Sequence, residues 1–131
     1  MADTLSGTVT RKYTVGSLTL GATPITVTSS AQLLIAQDVA GTTDDQEITI
    51  AIPMAAMKML AFECTVPCTV ETNSGSAPDD AFTLAANKPL GWDDSENGAI
   101  FLTQDVTSLF VSVPGATGGV FKVVGIMDVT P

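Results

Sequence analysis

The chain contains no histidine, and only five of its 131 residues are Lys or Arg, against fourteen Asp or Glu. Its formal charge is −9 at pH 7. Without histidine, His–Ser and His–Cys nucleophile systems are excluded, as are zinc sites built on imidazole. Five scattered bases cannot neutralise a run of phosphates, which argues against nucleic acid and equally against an anionic membrane surface. Aromatic residues make up 5% of the chain, whereas sugar binders usually present several exposed rings. No apolar run reaches the roughly 18 residues of a membrane-spanning helix. The opening Met1-Ala2-Asp3-Thr4 has neither a basic n-region nor an apolar h-region, so the chain is expected to fold in the cytosol of the cell that makes it.

What is present is apolar and β-branched. Hydrophobic types account for 45% of residues and charged types for 15%, with 19 Thr and 13 Val. This excess favours pleated sheet. The mean hydropathy of +0.36 argues against disorder. The length fits one domain, large enough to bury roughly two-thirds of its unfolded surface without staples.

Leu5, Val9, Tyr13 and Val15 share one parity between Ser, Thr and Lys, a half-buried strand over 5–15. Short strands follow over Ser17–Leu20, ending at Gly21, and over Pro24–Thr28. Leu33-Leu34-Ile35 within 31–39 fits either a buried strand or a helical turn. Ile48, Ile50 and Ile52 alternate with Thr49 and Ala51, the cleanest strand in the chain. Pro53 then stops the ladder and suits the start of a helical turn over 54–57. Residues 58–64 and 68–72 look like two strands joined by a tight turn at Thr65-Val66-Pro67. Further strands are expected at 82–84, 89–92, 100–102, 106–113 and 120–129, with turns at 93–98 and 115–119. About nine or ten short strands at 8–12-residue spacing predict an all-β fold. The expected architecture is a single antiparallel β-sandwich, jelly-roll-like, over 9–131, preceded by a short N-terminal arm over 1–8.

Candidate chemistry is sparse. Counting from Asp93, the run Asp93-Asp94-Ser95-Glu96-Asn97-Gly98 puts oxygen side chains at positions 1, 3 and 5 (Asp93, Ser95, Asn97) and Gly at 6, the opening half of a calcium loop. Position 12 is Gln104, not the bidentate Glu such a loop needs; the alternative is an Asn-Gly turn carrying solvated acids. The doublets Asp44-Asp45 and Asp79-Asp80 could pair as hydrolase carboxylates or sit as solvated loop tips, with 79–80 also able to order its loop by accepting N–H bonds. Cys64 and Cys68 would lie about 13 Å apart in one continuous strand but close together across a hairpin; a reduced buried pair suits a cytosolically folded protein, with a disulfide as the alternative. Met54, Met57 and Met59 form a cluster that is either core filling or a subunit contact. Trp92 anchors the core or an interface. No catalytic residue and no cofactor are expected.

The order of segments also carries a resemblance. Ile52-Pro53, Thr69-Val70-Glu71-Thr72-Asn73-Ser74, Ala77-Pro78-Asp79-Asp80 and Phe82-Thr83-Leu84-Ala85-Ala86-Asn87-Lys88-Pro89-Leu90-Gly91-Trp92 precede Asp105-Val106-Thr107-Ser108-Leu109-Phe110-Val111 and the terminal Asp128-Val129-Thr130-Pro131. This resembles the small jelly-roll decoration (cement) proteins of tailed bacteriophage capsids, over the last two-thirds of the chain, with Ala-Asn-Lys-Pro-Leu-Gly-Trp its most distinctive part. The resemblance implies a structural virion protein on the outer head surface, assembled in the host bacterial cytoplasm. Its partner would be the major capsid protein of the phage head, and its own state a homo-oligomer, with a trimer favoured. Candidate subunit or capsid contacts are Thr4, Leu5, Met54, Met57, Met59 and Trp92, the arm adding a strand to a neighbour's edge. The alternatives are a tail- or fibre-associated virion module and a carbohydrate-binding β-sandwich.

Overall fold

Alternation of β-branched and polar residues, broken by Gly, Pro and Asp, produces the strands of this protein. The structure, a computed structural model, describes residues 5–21, 24–94 and 98–128. Its strands are β1 (Leu5–Val9), β2 (Lys12–Val15), β3 (Leu18–Gly21), β4 (Ile25–Ser29), β5 (Ala31–Val39), β6 (Gln46–Ile52), β7 (Met57–Cys64), β8 (Cys68–Thr72), β9 (Ala81–Leu84), β10 (Leu90–Asp93), β11 (Val106–Ser112) and β12 (Gly119–Met127). A 3₁₀ turn over Met54–Ala56 follows Pro53, as the proline's fixed φ suggests.

The last eight strands build two four-stranded antiparallel sheets, ordered β10-β7-β12-β5 and β6-β11-β8-β9. Numbered within this group, the first sheet reads first, eighth, third, sixth, and the second reads second, seventh, fourth, fifth. Each strand of the leading half therefore pairs with its mirror partner in the trailing half, the wrapping of a jelly roll. The all-β sandwich expected from the sequence is the fold observed.

The core lies between the two sheets. Leu60, Phe62, Phe121 and Val123 of the first sheet meet Ile50, Ile52, Val70, Leu109 and Val111 of the second, all buried. Phe62 is the hub, its ring centroid 5.4 Å from Phe101, 5.9 Å from Phe121 and 6.2 Å from Phe82. Each such side chain stabilises the fold by about 1.5–3 kcal/mol relative to exposure. The period-2 pattern of β6 holds, with Ile48, Ile50 and Ile52 buried and Glu47, Thr49 and Ala51 exposed.

Three local expectations give way. Residues 58–64 and 68–72 are not a hairpin: β7 belongs to the first sheet and β8 to the second. Thr65-Val66-Pro67 is a corner between layers, because Pro67 and the buried Cys64 and Cys68 drive the chain across the sandwich edge and not back along it. Ile100-Phe101-Leu102 is irregular, not a strand; Phe101 and the buried Leu102 plug the core from a loop. The stretch over 5–15 is interrupted at Thr10-Arg11, while the ambiguous stretch 31–39 forms the nine-residue β5.

The N-terminal strands make one long hairpin in two ladders. β1 pairs with β4 from Leu5↔Ser29 to Val9↔Ile25, and β2 pairs with β3 from Lys12↔Gly21 to Val15↔Leu18. The two registers differ by one residue, so the hairpin is offset where Thr10 and Arg11 intervene. Gly16, at φ +58°, opens the two-residue Gly16-Ser17 loop, the position at which a hairpin turn of this hand wants glycine. The base of this hairpin covers part of the first sheet's outer face, where Val27 packs with Met59 and Ile126, flanked by Leu5, Val9 and Ile25.

Candidate functional site

The outer face of the first sheet is a grid whose rows are set by strand register. One row runs Gln32, Ile126, Met59, Asp93, the next Leu34, Val124, Ala61, Gly91, and the third Ala36, Lys122, Glu63. The hairpin base covers Ile126, Met59 and Asp93 of the first row. The second row is apolar and uncovered: Leu34 is 65% exposed and Val124 37%. A groove of about 380 Å³ lies between the two, walled by Thr8, Val9 and Arg11 and floored by Ala61, Gly91 and Val124. Gly91 adds no side chain to the floor, and a Cβ there would make only ordinary contact with the Ala61 methyl at 3.6 Å.

Arg11 fixes this wall. Its guanidinium donates to the Asp93 carboxylate, which is fully buried, while the Arg11 side chain remains 28% exposed. Asp93 is thus neither a turn residue nor the solvated acid that the Asn-Gly reading gave it. It closes β10 opposite Met59, and its charge is answered by the base that interrupts the hairpin. Ser95 and Asn97, the other calcium candidates, lie outside the described residues. Among the described residues, no three or more Cys, Asp or Glu side chains gather in a way that could hold a metal ion.

Beyond the groove the hairpin tip stands free of the body. β2 and β3 form a two-stranded ladder that joins neither large sheet, every residue of β3 is exposed, and Leu18 and Leu20 are 65% and 60% accessible. Charge divides along the same line. Residues 5–29 contain Arg11 and Lys12 and no acid, whereas residues 30–131 hold thirteen acids and three bases, a net −10.

The loop acids prove to be staples. Asp80 accepts from Thr103 N and Oγ1, both at 2.9 Å, and Asp79 accepts from Asn73 Nδ2 at 2.7 Å. The Ser112 hydroxyl donates toward Asp44 and Asp45 and itself accepts from Asp45 N at 2.9 Å. Asp105 caps the 3₁₀ turn through Met54 N at 2.9 Å. Of the readings for 79–80, the loop-ordering one describes the bonds seen.

Cys64 and Cys68 are free thiols, both buried. They face one another at the layer corner, and the Cys68 thiol is pushed up to about 12 from an ordinary 9.0, chiefly by burial and then by the neighbouring Cys64. Of the expected contact residues, Met57 and Met59 are buried within the chain, Met54 and Trp92 are half-buried against the core, and Leu5 is half-buried beside Val27. Trp92 Nε1 donates to Gly98 O at 3.1 Å. Thr4 lies outside the described residues, and residues 5–8 of the expected arm form most of β1. Arg11, Leu18, Leu20, Leu34 and Val124 were not singled out by sequence reasoning. The acid-free run 5–29 was the available signal, since a solvated β-hairpin ordinarily carries charges of both signs. No protein-family model matches the chain, and no curated protein or solved structure matches it either.

Proposed function

We propose that this chain is a structural virion protein that binds the outer surface of an icosahedral phage head and stabilises it. The major capsid protein is its partner, and the role is structural, not catalytic. The observation that carries the reading is the exposed leucine pair on a hairpin projecting from a jelly-roll body. A rigid sandwich with its acids tied into loop bonds is a durable clamp, and an apolar hairpin offers both side chains and strand edges to a neighbouring subunit. The order of segments around Ala86-Asn87-Lys88-Pro89-Leu90-Gly91-Trp92, which resembles capsid decoration proteins, supplies the choice of partner. The test is co-sedimentation with expanded heads lacking this protein, made from the phage or prophage that encodes it. Saturable binding at a copy number matching a symmetry element supports the proposal. No binding to heads overturns it, and recovery with purified tails instead assigns the protein to a tail or fibre.

A further inference from the structure

Four large hydrophobic side chains are exposed among the described residues: Leu18, Leu20, Leu34 and Val124. They form two patches. Leu18 and Leu20 alternate along β3 at the hairpin tip, and Leu34 and Val124 are register partners on the outer face of the first sheet. The patches do not meet within one chain, since all four remain open to solvent. We propose that the hairpin tip of one copy docks on the outer-face groove of a second copy and on Leu34 beside it, placing Leu18 and Leu20 against Leu34, Val124 and Ala61.

Charge selects this occupant. The tip belongs to the acid-free segment, with Lys12 exposed on β2, while the receiving face carries Asp38 on β5 and Glu63 on β7 against the one base Lys122 on β12, a small acidic excess on a body of net −10. Two bodies repel each other, so a face-to-face pairing of sheets is disfavoured, whereas a basic, apolar tip meeting an acidic face is attractive and orients the encounter. The groove's 380 Å³ lies at the small end of ligand clefts, a size for a few aliphatic side chains and not for a domain. The uncovered row also continues the surface already occupied by the chain's own hairpin base, so a second hairpin would extend an existing packing layer.

Tip and groove are different surfaces of the same chain, so the contact is heterologous: each copy gives a tip and receives one. Such contacts close into a ring or propagate. Self-docking does not depend on head binding, since it occurs in the free protein.

Sedimentation velocity over a concentration series tests it, using the full chain and two double variants, Leu18→Ser with Leu20→Ser (broken tip) and Leu34→Ser with Val124→Ser (broken groove). The wild type is expected to associate, and each variant alone to sediment as a monomer with unchanged circular dichroism. An equimolar mixture of the two variants retains one intact tip and one intact groove, and is expected to form a dimer and nothing larger. A monomeric wild type overturns the inference, as does undiminished assembly of the broken-tip variant or a mixture that stays monomeric. If the wild type is monomeric yet the broken-tip variant no longer pellets with heads, the tip's partner is the shell. In that case head binding stands and self-docking falls. Self-association abolished by both variants, in a wild type that does not pellet with heads, leaves self-docking standing while head binding falls.

Discussion

Arg11 and Asp93, 82 positions apart in the sequence, form an ion pair that joins the N-terminal hairpin to the edge strand β10. The carboxylate is fully buried and the guanidinium only partly so, which makes their removal unequal. Arg11→Ala leaves a buried charge without this partner, a change that costs about 3 kcal/mol or more in a dry site. Because Arg11 is 28% exposed, water recovers part of that, and about 2 kcal/mol is expected. Asp93→Asn should cost less, since the amide is cheaper to bury. Urea unfolding of the two single variants and the double gives a coupling of at least about 1 kcal/mol if the pair acts as a unit. A value near zero would mean that the contact is incidental.

Asn73 organises the other end of the sandwich. At φ +66° it sits in the left-handed region. Its Nδ2 donates to Asp79 Oδ2 at 2.7 Å and Asp105 O at 2.8 Å, and its Oδ1 accepts from Thr107 N at 2.8 Å. Asn73→Gly keeps the backbone and loses these bonds together with a longer one from Thr107 Oγ1 at 3.3 Å, all partly solvated, for about 1 kcal/mol. Asn73→Ala adds the left-handed penalty of about 1 kcal/mol, so it should unfold at lower denaturant than the glycine variant. The reverse order would show that the left-handed backbone at position 73 is dispensable once the amide is gone.

How far these features can be seen in the sequence depends on whether they are local. Ile48, Ile50 and Ile52 announce β6 because burial on one face imposes period 2 wherever a strand covers a core. Strand partnership is not local, which is why Cys64-Thr65-Val66-Pro67-Cys68 reads as a hairpin although it turns a corner between sheets. Phe101 and Leu102 look like a strand because they are apolar, but what they satisfy is a hole at the end of the core, and no ladder is needed for that. Asp93 illustrates the limit for the site. Beside Asp94 and an Asn-Gly step it has the composition of a turn tip, and only the return of Arg11 across the sheet shows that the carboxylate is buried. Leu18 and Leu20 mislead in the opposite sense, since their alternation with Ser17 and Thr19 is that of a half-buried strand, yet among the described residues both stand exposed.

The thiol pair gives a pH signature. Below about pH 9 both folded and unfolded chains keep the Cys68 proton, and the residue adds no pH dependence. Between about 9 and about 12 the unfolded chain releases the proton while the folded chain retains it, so stability falls as pH rises through that window and levels beyond it. The melting temperature of wild type should therefore drop more steeply from pH 8.5 to 10.5 than that of Cys68→Ala, by the equivalent of up to one proton. Buried thiols are also poor nucleophiles, and both cysteines should resist a thiol reagent at pH 8 until denaturant is added. Rapid labelling of the native protein would contradict the burial.

The two ladders of the N-terminal hairpin should respond oppositely to truncation. Excising Lys12–Gly21 removes β2 and β3, whose leucines are solvent-exposed and whose ladder joins neither large sheet. It keeps Arg11 beside Asp93. The unfolding midpoint should move by less than the equivalent of about 1 kcal/mol, because little apolar surface changes its exposure. Deleting Leu5–Val9 instead removes β1 and uncovers Val27, Met59 and Ile126, which are 6%, 9% and 3% accessible. Partial exposure of three such side chains costs about 3 kcal/mol or more, and β4 is left with an unpaired edge. Chemical denaturation of both truncations beside the full chain separates the two effects: a tip that is costly to remove would mean that it packs on its own body, leaving nothing for a second copy or a shell to bind.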